Sequence, residues 1–172
     1  MGSTATARVL LFMGEGKGKT TAALGMVLRA AGHGRSVRLA QFFKARPSGE
    51  LAACGRLGGV EILRDGCGFV TGDEAPHREA AQRLWRLILD GERREAAYLL
   101  VLDEIALAAA RGFVETGELL ALLDRRPPGS ATVMTGRNPP AELVARADTV
   151  TEMDCVKHGM RAGFPAQPGV EE

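Results

Sequence analysis

The stretch that most constrains this chain is Gly14-Glu15-Gly16-Lys17-Gly18-Lys19-Thr20-Thr21, taken with what flanks it. Before it, Arg8-Val9-Leu10-Leu11-Phe12-Met13 is a short apolar run that reads as a buried strand; after it, Ala22 to Ala30 reads as a helix. A strand, a glycine-rich turn and a helix make an anion cradle, because backbone N–H groups and the positive end of the helix converge on one point. Lys19 adds a mobile positive charge and the Thr20 hydroxyl suits Mg²⁺. The usual spacing is G-x-x-x-x-G-K-[ST]; here Met13 fills the first glycine slot and the loop runs G-x-x-x-G-K-T, one residue tighter. Residues Gly14 to Thr21 are therefore the candidate triphosphate site.

The rest of the chain repeats the alternation of strand and helix. Apolar runs at 36–43, 60–63, 98–102, 131–135 and 149–153 read as strands, and stretches at 50–57, 76–95, 105–110, 116–123 and 140–147 read as helices. Helix 76–95 carries Ala80, Leu84, Leu87 and Ile88 at helical spacing. Gly32-His33-Gly34 ends the first helix, and Pro127-Pro128-Gly129 marks a turn. The segment 64–75 is a glycine-rich loop carrying Phe69, and no periodicity is visible from Asp154 onward. This pattern predicts an α/β fold with a mostly parallel sheet covered by helices on both faces. Residues 1–172 read as one domain with a frayed end at 1–7, and the ligand belongs beyond the C-terminal ends of the strands.

Bulk properties exclude several classes of function. A net charge of +1 gives no field to attract nucleic acid or an anionic membrane. No apolar run is long enough to span a bilayer, and the N-terminus shows no charged region followed by an apolar stretch. The three cysteines, Cys54, Cys67 and Cys155, are scattered and odd in number, which fits a reducing cytoplasm rather than a disulfide scaffold. No Cys or His pair has zinc-ligand spacing.

Three further sets of residues carry chemistry. Asp103-Glu104 ends a buried strand, and acidic residues delivered beside a phosphate loop suit a hard cation bridging phosphates. The sequence leaves open which of the two touches the metal. Thr135-Gly136-Arg137 ends another strand, so Arg137 can reach phosphate at the same sheet edge. Lys157-His158 is ambiguous, and Phe69, an aromatic among glycines, is either a ligand contact or a plug. No Ser-His-Asp or Cys-His set and no base to position water stands out, so the attacking group is not evident from the residues.

Taken in order, these blocks resemble the P-loop corrinoid adenosyltransferases of the ATP:cob(I)alamin type. The resemblance rests on Gly14 to Ala23, Ala31-Gly32-His33-Gly34, Gln41-Phe42-Phe43-Lys44 with Gly49-Glu50, Gly68-Phe69, Leu102-Asp103-Glu104-Ile105, Val133 to Arg137, Ala147 to Met153, Val156-Lys157-His158 and Ala166 to Glu171. It implies a three-layer P-loop NTPase-like (RecA-like) fold. It also implies transfer of the 5′-deoxyadenosyl group of ATP to cobalt(I) of a corrinoid, with triphosphate leaving, in adenosylcobalamin (vitamin B12) biosynthesis or salvage. The substrate itself is then the nucleophile. ATP would be held by Gly14, Glu15, Gly16, Lys17, Gly18, Lys19, Thr20 and Thr21, and Mg²⁺ or Mn²⁺ by Thr20 and Glu104 with Asp103. The corrinoid would be met by Phe69, Lys157 and His158. Lys19, Phe69 and Arg137 would serve the reaction directly. A reduced flavoprotein as electron source, a homodimer and a cytoplasmic location follow from the same resemblance.

The chain differs from the family pattern at several points. Glu15 stands where members often have Asn. Gly68-Phe69-Val70-Thr71 replaces Gly-Phe-Thr-Trp, Lys157-His158-Gly159-Met160 replaces Lys-His-Pro-Phe, and Pro165 takes the place of a lysine. Two other functions share the loop: a phosphotransferase or NTPase, which would yield ADP, and a nucleotide-binding module without turnover.

Overall fold

The predicted alternation of short apolar runs and amphipathic stretches becomes a layered sheet in the computed structural model, which describes residues 6–46, 48–68, 70, 72–167 and 169–170. The strands are β1 (Arg8–Met13), β2 (Val37–Phe42), β3 (Val60–Asp65), β4 (Leu99–Asp103), β5 (Ala131–Thr135) and β6 (Thr149–Glu152). The helices are α1 (Lys19–Gly32), α2 (Gly49–Cys54), α3 (Ala75–Arg94), α4 (Ile105–Ala110), α5 (Thr116–Asp124) and α6 (Ala141–Arg146). A 3₁₀ turn follows at Gly159–Ala162, within the segment where the sequence shows no periodicity. The helix expected to reach Leu57 stops at Cys54, where Gly55 closes it by donating its N–H to the Leu51 carbonyl.

The strand order is β3-β2-β4-β5-β1-β6, and each neighbouring pair is parallel. The expectation of a mostly parallel sheet is thus met by an entirely parallel one. Strand β5 lies between β1, which leads into the glycine-rich loop, and β4, which carries the acidic pair.

Two-residue alternation along the strands divides the core into two layers. Val9 and Leu11 of β1, Ala40 and Phe42 of β2, and Leu100 and Leu102 of β4 face a cluster completed by α3, α4, α5 and α6. Val37 and Leu39, Leu99 and Val101, and Val133 face the other cluster, completed by Ala23, Leu24, Val27 and Ala30 of α1 and by Leu51 of α2. Helix α3 inserts Ala80, Ala81, Leu84, Trp85 and Ile88, a stripe recurring every three or four residues. Trp85 is a core residue whose indole N–H donates to Glu118 at 2.9 Å. Strand β6, at the sheet edge, is exposed along its whole length.

Two polar residues interrupt the otherwise apolar β2. Arg38 is buried and pairs with Glu61 and Glu92. Glu92 also pairs with the buried Arg126, which donates to the carbonyls of Ala97 (2.5 Å) and Ala131 (3.3 Å). This charged knot joins β2, α3 and the end of α5 at the edge of the sheet opposite the glycine-rich loop. The second polar residue, Gln41, lies at the loop's own edge.

Candidate nucleotide site

The loop 14–18 leaves the C-terminal end of β1 and enters α1 at Lys19. The Lys19 side chain is buried, and its ammonium donates to the carbonyls of Gly14 and Gly16, each at 2.7 Å. It closes the loop into a ring while keeping a cation beneath it. Burial pushes the Lys19 pKa down, and the neighbouring Glu104 opposes that shift.

The loop is also clamped from the far end of the chain. Gly16 donates its N–H to the Met153 carbonyl at 2.6 Å, and Met153 donates to the Met13 carbonyl at 2.8 Å. A Cβ on Gly16 would fall 2.6 Å from the carbonyl oxygens of both Met153 and Asp154. Glycine is required here by close backbone approach.

The two acidic residues occupy different environments. Asp103 has no exposed surface, and its carboxylate is fully engaged. Oδ1 accepts from the hydroxyls of Thr20 (2.8 Å) and Thr135 (2.7 Å), and Oδ2 accepts from Gln41 Nε2 (2.9 Å), with Lys44 Nζ 3.9 Å away. Glu104 adopts a left-handed backbone with φ 64°, and its N–H donates to the Thr135 hydroxyl at 2.9 Å. Among the described residues no hydrogen bond reaches its carboxylate. Burial raises the Glu104 pKa and Asp103 adds to the rise, against the pull of Lys19, Arg137 and Lys44. Asp103 is therefore a fixed support for Thr20, and Glu104 carries the uncommitted oxygens.

Three non-glycine residues have positive φ among the described residues: Phe43 (62°), Glu104 (64°) and Asn138 (49°). They follow β2, β4 and β5, and two of them adjoin Lys44 and Arg137. Strained backbone thus gathers at one edge of the sheet, where it redirects charged side chains.

That edge surrounds a cavity of about 360 Å³. Its floor is Gly16 to Thr21, and its walls are Glu15, Lys44, Glu50, Arg137, Cys155, His158, Met160 and Arg161. Lys44 bridges Glu50 (3.8 Å) and Asp103, and Arg137 pairs with Glu15 at 2.7 Å. His158 lies on the wall and accepts the Met160 N–H at 3.3 Å, whereas Lys157 is exposed and outside the lining. Phe69 lies outside the described residues. Gly14 contributes its carbonyl to Lys19 rather than a surface to the cavity.

Gln41, Lys44, Glu50, Cys155, Met160 and Arg161 also belong to the site, although the sequence does not mark them as site residues. Gln41 has a signal, a polar residue inside an apolar strand; Lys44 and Glu50 lie in and after a loop where charge is ordinary, and the others sit in a segment with no pattern.

The fold and this edge define a nucleotide-binding protein of the P-loop class, with its phosphate loop on β1 and its acidic pair on β4. The family model for ATP:corrinoid adenosyltransferase BtuR/CobO/CobP matches residues 5–171, and the chain belongs to that family. A corrinoid adenosyltransferase of Pseudomonas aeruginosa is 37% identical over 167 residues, covering 95% of this chain and 82% of the relative. Corrinoid adenosyltransferase CobA of Salmonella typhimurium is 36% identical over 169 residues, 95% of this chain and 84% of the relative. A corrinoid adenosyltransferase of Escherichia coli K12 is 35% identical over 170 residues with the same coverage.

Proposed function

We propose that this protein transfers the 5′-deoxyadenosyl group of ATP to cobalt(I) of a reduced corrinoid, releasing triphosphate, in adenosylcobalamin biosynthesis or salvage. The observation that carries this reading is the cation-lined cavity on the phosphate loop, with Lys19 as its innermost charge, in a chain of the corrinoid adenosyltransferase family. Cobalt(I) is a strong nucleophile and needs no general base. The protein's work is to align two reactants and to neutralise the leaving triphosphate. Gly16 to Thr21 supply the cradle, and Lys19, Lys44, Arg137 and Arg161 supply positive charge.

The donor set fits a hard divalent cation. Among the described residues no hydrogen bond reaches the Glu104 carboxylate, which lies near Lys19, and the Thr20 hydroxyl on the cavity floor is oriented by Asp103, so oxygen donors are at hand. Thr20 and Glu104 would hold Mg²⁺ or Mn²⁺, with Asp103 acting through Thr20. When bound, the ion supplies charge neutralisation to the phosphate oxygens. His158, from its place on the cavity wall, is available to the corrinoid, and Phe69 and Lys157 join it in this proposal. A reduced flavoprotein as electron source, a homodimeric assembly and a cytoplasmic location complete the reading. No helix among the described residues is long and apolar enough to cross a membrane.

The test is to incubate the protein with ATP, Mg²⁺ and chemically reduced cobalamin. The expected products are a light-sensitive alkylcobalamin spectrum and stoichiometric triphosphate. ADP as the product, or ATP binding without any alkylcobalamin, would overturn the proposal. Lys19→Ala should lower turnover by about 100-fold or more, the scale seen when a charge-stabilising donor is removed.

A further inference from the structure

Glu15 and Arg137 meet at the rim of the phosphate cavity. Arg137 Nη1 donates to Glu15 Oε2 at 2.7 Å, across 122 positions of sequence. Both side chains are about half exposed, at 51% for Arg137 and 59% for Glu15, and both line the cavity. Their backbones are far less free than the side chains. Glu15 sits between Gly14 and Gly16, in the loop held by Lys19 and by Met153. Arg137 follows Gly136, which has φ 145° and donates its N–H to the Phe12 carbonyl at 3.2 Å. A Cβ on Gly136 would lie 2.8 Å from the Ala106 Cβ and 2.9 Å from the Leu107 nitrogen, so the chain is pinned between β1 and α4. Any rearrangement of the pair therefore falls to the two half-exposed side chains.

The partners of the cavity's cations differ in kind. Lys19 is held by loop carbonyls, which stay in place when an anion arrives. Lys44 lies between Glu50 and the buried Asp103. Arg137 is held by a carboxylate that belongs to the phosphate loop itself. A phosphate chain entering the loop brings several negative charges to the guanidinium that one carboxylate now occupies, and phosphate and carboxylate offer guanidinium the same two-pronged geometry.

We propose that Glu15 is an internal competitor for Arg137. Its carboxylate occupies the guanidinium while the cavity holds no phosphate chain and takes it back as the triphosphate leaves. The pair thereby lowers the affinity for the phosphate chain and speeds its release. Glu15 acts through Arg137 and is a positioning residue. The proposal rests on the adenosyl-transfer reading for the identity of the product, but its test does not require the transfer reaction.

The experiment measures binding and dissociation of inorganic triphosphate with Mg²⁺, without corrinoid, for the wild type, Glu15→Gln, Arg137→Ala and the double variant. Removing the competitor should tighten triphosphate and slow its dissociation about two- to fivefold, the range of half-exposed ion pairs. In turnover, the KM for ATP should fall with it. In the Arg137→Ala background the Glu15→Gln change should have no effect. Equal tightening in both backgrounds would show that Glu15 repels phosphate directly and would overturn the proposal. Weaker binding by Glu15→Gln would show that Glu15 aims Arg137 at phosphate, and would overturn it as well. Failure of the wild type to bind triphosphate would sink both this proposal and the phosphate site. Normal triphosphate binding without transfer to cobalt(I) would sink only the adenosyl-transfer reading.

Discussion

Thr135 and Asp103 share a buried hydrogen bond of 2.7 Å, and the same threonine hydroxyl accepts the Glu104 N–H at 2.9 Å. One hydroxyl thus fixes the carboxylate that holds Thr20 and supports the left-handed backbone of Glu104. Thr135→Val keeps the shape and removes both bonds, leaving a buried acceptor and a partly buried N–H short of a partner. The expected loss of stability is about 1–3 kcal/mol by chemical denaturation. Thr135→Ser should recover most of it, and a valine variant as stable as the wild type would show that the hydroxyl is dispensable.

Two glycines should respond to alanine in opposite directions. Gly25 lies inside α1 with nothing within 4 Å of a Cβ placed there, so Gly25→Ala should stabilise by about 0.5–1 kcal/mol through helix propensity. Gly16→Ala drives a methyl group into the backbone of Met153 and Asp154, and should destabilise by about 1–3 kcal/mol while weakening ATP binding. Thermal melts with and without ATP read both effects.

The raised Glu104 pKa gives a pH signature in the ligand-free protein. An acid whose pKa is higher folded than unfolded stabilises the fold at low pH, and that contribution is lost as pH rises through the folded value. Charged Glu104 is therefore a burden at neutral and alkaline pH. Glu104→Gln should raise Tm near pH 8, with the gain shrinking as the pH falls through the raised folded value and gone once it is below the ordinary carboxylate range. Saturating Mg²⁺ and ATP should stabilise the wild type more than the variant. A gain that is independent of pH would contradict the assignment of the shift to Glu104.

Glu92 stands between the buried guanidiniums of Arg38 and Arg126. Burial works against the Arg126 charge and Glu92 supports it. Glu92→Leu leaves the buried Arg126 without a carboxylate and Arg38 with Glu61 alone, and should cost about 3–5 kcal/mol. Glu61 pairs with Arg38 from a half-exposed position, so Glu61→Gln should cost less than about 1 kcal/mol. Denaturation of the two variants side by side separates the buried partner from the exposed one.

The fold was legible where local rules and burial agree. The runs at Leu99 to Leu102 and Val9 to Leu11 are apolar at successive positions because both sheet faces are covered, and glycines mark the ends of α1 and α2. The phosphate loop and the strand-end acids were legible because their chemistry demands particular residues at fixed spacing. What sequence could not separate was Asp103 from Glu104. Their division of labour comes from Thr20, Thr135 and Gln41, which reach Asp103 from three other elements. The Arg38–Glu92–Arg126 knot was invisible for the same reason, since arginine in a strand and glutamate in a helix look solvated until the packing is known. The Glu15–Arg137 pair needed β5 placed beside β1, an order that the chain's succession of elements does not reveal.

Met153 closes the loop at Gly16 from a point 137 residues further along the chain, at the exit of the last strand. During synthesis the segment 14–21 emerges early, but the carbonyl that seals it is made near the end. Contacts of such long sequence separation form late, after the intervening chain has been ordered. A chain interrupted before residue 153 would therefore carry the complete G-x-x-x-G-K-T signature without the Met153 clamp and without the cavity wall at Cys155, His158, Met160 and Arg161.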